Sequence, residues 1–184
     1  MKNRTPFFRI GTLCILAAFL GPGAMISPAQ SADSQKITNL LSDASTYAAR
    51  VNNQAADLDA LTRSDLSWQM YAAKIEVIKK NVNELGRLYS DLVAIRDTGS
   101  PWQQNAIDQM KRPLLLMAVN LDATINYLNR YHARVHMPEF EDYIHANNHL
   151  AISLSEKIQD FSNYGEARAK IESLQQNQNA RILD

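Results

Sequence analysis

The sequence predicts an all-α protein: an antiparallel up-down-up-down four-helix bundle with short connections, following a cleaved signal peptide. Three observations carry this expectation. Apolar residues recur at steps of three and four along most of the chain, which is the spacing of one helix face. Glycine and proline, six of each in 184 residues, are too sparse to interrupt that pattern often. No alternating apolar-polar run competes as a strand.

The opening segment stands apart from the fold. Lys2, Arg4 and Arg9 are basic, and Ile10 to Leu20 is apolar except for Gly11 and Thr12. Gly21-Pro22-Gly23 ends that run, and Ala29-Gln30-Ser31-Ala32 offers small residues to a peptidase. This is the pattern of a secretory signal peptide over residues 1–32. The apolar run falls short of the roughly 20 residues a membrane span requires. The only cysteine, Cys14, lies inside this leader. The chain that follows therefore has no disulfide, no thiolate metal site and no cysteine nucleophile. The expected location is the periplasm or the cell exterior, with no stable membrane span after cleavage.

The bundle is expected over residues 33–176, with a polar, frayed tail over 177–184. A first helix is predicted from about Lys36 to Leu61. Its seam reads Ile37, Leu41, Ala44, Ala48, Val51, Ala55 and Leu58, a heptad stripe whose alanines permit close approach. Ser64 and Asp65 offer caps for a second helix from about Leu66 to Arg96. Its inner face carries Trp68, Ala72, Ile75, Val82, Leu85, Tyr89 and Leu92. Asp97-Thr98-Gly99-Ser100-Pro101 stops the second helix and starts the third. Gly99 suits a C-terminal cap, Ser100 an N-cap and Pro101 the first helical position, with Gln103 completing a capping box.

The third helix is predicted from Pro101 to His136, kinked or split at Pro113. Its seam is Leu114, Ala118, Leu121, Ile125, Leu128, His132 and Val135. Pro138 opens a fourth helix along Phe140, Ile144, Ala151, Leu154, Ile158 and Phe161, with Gly165 able to bend or break it. A last helical stretch covers Glu166 to Leu174. Connections of a few residues force neighbouring helices to run antiparallel.

Composition narrows the function. Hydrophobic residues make up 46% and charged residues 21%, the balance of a folded domain. Removing the leader takes away three basic residues and no acidic one, leaving 16 basic against 19 acidic. That balance argues against nucleic acid, whose binding rests on Lys and Arg neutralising phosphates.

The histidines are the most specific chemical signal. His132, His136, His145 and His149 form two His-x-x-x-His pairs around the third hairpin. Residues four apart share a helix face, so each pair could present two imidazoles to zinc, copper or nickel. With the turn near Met137, His132 and His145 lie about 8 and 11 Å from it along their helices. The expected ligands are His132, His136 and His145. Phase opposes the full set, because His145 and His149 fall opposite Ile144, Ala151 and Leu154.

Other helical chemistries fail on residues. Ala133 and Ala146 stand where a zinc protease needs Glu after its first histidine. A di-iron bundle needs two Glu-x-x-His motifs, and the chain has only Asp142-x-x-His145. A non-covalent haem would have to pair His132 with Met70, Met110 or Met117, side chains more simply used as core filler. Glu139, Glu141 and Asp142 suit the first turn of a helix through its dipole. Trp68, Tyr71, Tyr89, Tyr127, Tyr131, Tyr143 and Phe161 suit core and core rim, with Trp102 the most exposed aromatic at a bundle end. No catalytic set emerges. The sequence points to a non-catalytic structural or protein-interaction module, without a cofactor, whose partners are envelope proteins or itself. The alternative is a transition-metal-binding bundle.

Overall fold

The computed structural model describes residues 33–64 and 66–183. The expected leader, with Cys14, and the proposed cap Asp65 lie outside them. Four long helices account for most of the described chain: α1 (Gln35–Ala60), α2 (Trp68–Ala94), α3 (Pro101–Arg130) and α4 (Pro138–Leu183). Short 3-10 turns at Leu61–Arg63, Arg96–Thr98 and His132–Arg134 sit in the three connections. No strand occurs among the described residues.

The helices share one hydrophobic core. α1 packs against α2 and α4, and α3 packs against the same two helices. Side-chain pairs fix the registers. Ser45 donates to Gln159 at 2.7 Å and Asp59 meets His145, so residue numbers rise along α1 as they fall along α4. Asn81 donates to Gln54 at 2.9 Å between α2 and α1. Lys157 reaches Gln109 between α4 and α3.

Every residue of the predicted α1 seam is buried. Each buried Leu, Ile or Val contributes about 1.5–3 kcal/mol. The alanines contribute mainly by letting α2 and α4 come close. On α2 the core face is Tyr71, Ile75, Ile78, Val82, Leu85, Leu88 and Leu92. Ala72 and Tyr89 pack at its edge, and Trp68 stays 37% exposed. Ser67, not Ser64, caps this helix, its hydroxyl accepting from the Met70 amide at 3.4 Å. The helix therefore starts two residues later than the apolar pattern suggests.

Gly99 also differs from expectation. Its backbone is extended at φ −90°, so no left-handed cap is formed. Glycine is needed there for space: a Cβ would stand 2.6 Å from Ile37 Cδ1 and 3.2 Å from the Arg96 carbonyl. Ser100 and Pro101 start α3 as expected, and Gln103 Oε1 accepts from the Ser100 amide at 3.1 Å.

Pro113 does not split α3, which runs unbroken from Pro101 to Arg130. A proline inside a helix removes one amide donor, but its neighbours Met110, Leu114 and Met117 are buried and hold the helix in place. The end of α3 is the larger correction. The helix stops at Arg130, because Tyr131 (φ −132°, ψ 51°) leaves the helical region. His132 is thereby thrown off the apolar seam and onto the surface, while Val135 stays buried.

α4 passes through Gly165 and the Gln/Asn-rich stretch without interruption to Leu183. Gly165 is buried against Trp102, where a Cβ would lie 2.8 Å from the indole Cη2. Its place is set by this close approach, not by a bend.

Two polar arrangements brace the core. At one end, buried Gln103 donates from Nε2 to the Ser34 carbonyl (2.9 Å) and Thr38 Oγ1 (3.1 Å), and its Oε1 accepts from the Ser34 amide (2.8 Å). Beside it, Asp33 accepts from the Trp102 indole at 2.7 Å and from Arg168 Nε at 3.1 Å. Burial alone would raise the Asp33 carboxyl, but hydrogen bonds from Ser100, Trp102 and Arg168, with the Arg168 charge, hold it below its usual value. Near the other end, buried Asn147 donates to Thr124 Oγ1 at 2.7 Å and to the Tyr143 carbonyl at 3.0 Å. Thr124 in turn donates to the Asn120 carbonyl at 2.8 Å.

Candidate functional site

The α1–α2 and α3–α4 connections lie at the same end of the fold, joined through a ladder of rings. Tyr71 meets Phe140 edge-on, with centroids 5.2 Å apart. Phe140 stacks on Tyr127 at 5.8 Å, and Tyr127 touches both Tyr131 and Tyr143. Tyr71 and Phe140 are fully buried, so this ladder is the core closing under the connections.

Outside it lies a different layer. Trp68 opens α2 directly after its serine cap, and its ring stacks on His132 with centroids 4.3 Å apart and planes inclined by 31°. Met70, Tyr131 and Met137 are exposed at 51%, 37% and 52%. Arg134 lies over the Tyr131 ring, 5.2 Å from its centroid, within reach of a cation–π contact. This end therefore presents Trp, Tyr, Met and Arg together. These are the residue types enriched where proteins meet.

The histidines divide between different tasks. His132 belongs to the Trp68 stack. His145, on α4, pairs through Nδ1 with Asp59 of α1. His136 and His149 are exposed. The four do not converge: among the described residues no group of three or more His, Cys, Asp or Glu is placed to hold a metal ion. The cause is the early end of α3, which breaks the helical spacing between His132 and His136. Of the methionines that a haem would need opposite His132, Met110 and Met117 are buried in the core while His132 faces outward, and Met70 is exposed.

Glu139 and Glu141 occupy the first turn of α4 as expected, where they complement the exposed amides of the helix start. Glu139 and Asp142 also edge a shallow depression with Asn120 and Tyr143. Trp102 is not the exposed aromatic at a bundle end. It is wedged between Gly165, Tyr164 and Asp33, and the exposed aromatics are Tyr164, Trp68 and Tyr131.

Sequence reasoning missed Met70, Tyr131 and Met137 as a group. They lie in or beside two connections far apart in sequence, and only the pairing of those connections brings them to one end. No helix of the described residues is long and apolar enough to cross a membrane. No protein-family model, curated protein or solved structure matches this chain.

Proposed function

We propose that the chain is a secreted or periplasmic, non-catalytic protein-interaction module. In this reading the four helices form an antiparallel up-down-up-down bundle, delivered by the leader over residues 1–32. One observation carries it: Trp68, Met70, Tyr131 and Met137 are each exposed at the end that holds two connections, where Arg134 lies over Tyr131. Large apolar side chains gathered at one place cost solubility unless something covers them. Rings and thioethers beside an arginine suit a protein surface better than a small polar ligand.

A photocross-linking residue at Met70 or Met137 in living cells tests this. The expected result is a discrete cross-linked species from both positions and none from exposed Asn126 on α3. Equal labelling at all three positions would refute a localised surface. Recovery of the intact leader-bearing chain in the cytoplasm would refute the secretion.

A further inference from the structure

Sulfur divides sharply along this chain. Cys14, the only cysteine, falls in the expected leader, as do Met1 and Met25. Beyond it the only sulfur atoms are the thioethers of Met70, Met110, Met117 and Met137. Two of these are sealed: Met110 and Met117 belong to the core of α3, both 0% exposed. The other two stand open to solvent, Met70 at 51% and Met137 at 52%. No methionine of the described residues lies between these extremes.

The open pair belongs to the starts of two helices. Met70 lies in the first turn of α2, where the Ser67 hydroxyl holds its amide. Met137 precedes Pro138, and its carbonyl accepts from the amides of Phe140 at 2.9 Å and Glu141 at 3.3 Å in the first turn of α4. Tyr71, next to Met70, meets Phe140 with ring centroids 5.2 Å apart, so the two helix starts lie side by side. The fold uses the backbone of both methionines. Neither side chain belongs to the hydrophobic core.

We propose that Met70 and Met137 are sites of reversible oxidation by peroxides, and that their oxidation switches off the Trp68 end as an interaction surface. The second half rests on the interaction reading above; the first does not. In the step, a sulfur lone pair attacks one peroxide oxygen, the O–O bond breaks and an S–O bond forms. With hydrogen peroxide the second oxygen leaves as water. Sulfur is oxidised by two electrons and the peroxide is reduced. A methionine sulfoxide reductase reverses the change, two thiols becoming a disulfide as the oxygen leaves as water. Exposure selects the sites, because the oxidant must reach sulfur. The sulfoxide is polar, so the change removes two apolar contacts from this end. Its oxygen accepts hydrogen bonds, and a helix start offers amides without intrahelical partners. The fold therefore tolerates it at Met70 and Met137. At Met110 or Met117 the same oxygen would be buried without a partner.

Timed hydrogen peroxide treatment of the leader-free chain, read by peptide mass spectrometry, tests the chemistry. Met70 and Met137 should each gain one oxygen at least about tenfold faster than Met110 and Met117, which react only through openings of the fold. Helical circular dichroism should not change as they do. Methionine sulfoxide reductase with dithiothreitol should return both peptides to their starting mass. Similar rates at all four methionines, or helix lost with the first two oxygens, overturn the inference. A photocross-linking residue at exposed Ala133 leaves both methionines in place and tests the switch in cells. A peroxide pulse should lower the cross-link yield by about fivefold or more, the loss of one interface anchor. Met70→Leu with Met137→Leu should hold its own starting yield through the same pulse. A parent yield that peroxide leaves unchanged overturns the switch, as does an equal loss in the leucine pair. A parent that gives no cross-link before peroxide refutes the interaction reading and the switch with it, while the oxidation chemistry stands or falls on the mass spectra.

Discussion

Two glycines inside helices invite the same substitution and should answer oppositely. Gly86 of α2 has nothing within 4 Å of the place a Cβ would take, whereas at Gly165 of α4 that Cβ would lie 2.8 Å from Trp102 Cη2 and 3.4 Å from Cζ2. Replacing an interior helical glycine by alanine gains about 0.8–1 kcal/mol from backbone propensity. Gly86→Ala should show that gain. At Gly165 the indole must move, and it is not free to do so. Its nitrogen is bonded to Asp33 at 2.7 Å, and Tyr164 packs edge-on at 5.2 Å. Overpacking against a held side chain costs about 1–3 kcal/mol. Gly165→Ala should therefore be about 1 kcal/mol less stable than the parent, and about 2 kcal/mol less stable than Gly86→Ala. Urea unfolding of the three proteins measures this. In a Trp68→Phe background, Trp102 fluorescence reports the displacement directly. If Gly165→Ala is as stabilising as Gly86→Ala, with unchanged emission, the wedge described for Trp102 is wrong.

Other perturbations have equally definite outcomes. Asp33→Ala should cost about 2 kcal/mol at pH 7, since it strands the Trp102 and Arg168 donors. The folded Asp33 carboxyl lies below its ordinary value of 3.8. Its contribution is thus complete above that value and lost as pH falls through the folded one. Parent and Asp33→Ala should converge in acid unfolding once the pH has fallen below the folded value. Asn147→Ala should cost about 1 kcal/mol by removing the bonds to Thr124 and the Tyr143 carbonyl, while Thr124 keeps its bond to the Asn120 carbonyl, read from thermal denaturation; a neutral result would mean the pair is not buried as described. Zinc titration of the leader-free chain should show no stoichiometric site, and His132→Ala should change weak binding by less than twofold. Tight binding abolished by His132→Ala would restore the histidine centre.

The core was legible because burial imposes period. The α1 stripe matched residue for residue, since Ile37 through Leu58 all lie between two neighbours. Phase was lost where that sandwiching ends. Trp68 continues the α2 stripe on paper but emerges beyond the last turn of α1. His132 continues the α3 stripe but follows Tyr131, whose dihedrals end the helix. The polar braces were partly visible. Gln103 could be placed in a capping box, but its reach to Ser34 and Thr38 depends on α1 arriving beside it. Asn147 and Thr124 carried no signal, because each alone reads as ordinary helix surface. Gly165 was read as a place where the helix could bend or break, whereas its hydrogen atom makes room for an indole 63 residues earlier in the chain.

The alanines of the α1 seam have a thermodynamic side. Ala44, Ala48 and Ala55 are essentially inaccessible, yet they freeze no rotamers on folding, while each buried Leu or Ile loses about 0.5–1 kcal/mol of side-chain entropy. α1 thus lays down an ordered strip at low conformational cost, and the bulkier chains of α2 and α4 settle against it. Such a strip tolerates little growth. Isoleucine at Ala48 would have to push two helices apart, whereas serine would merely add a hydroxyl able to bond back to its own helix. Variation at these positions should therefore be bounded by volume far more tightly than by polarity.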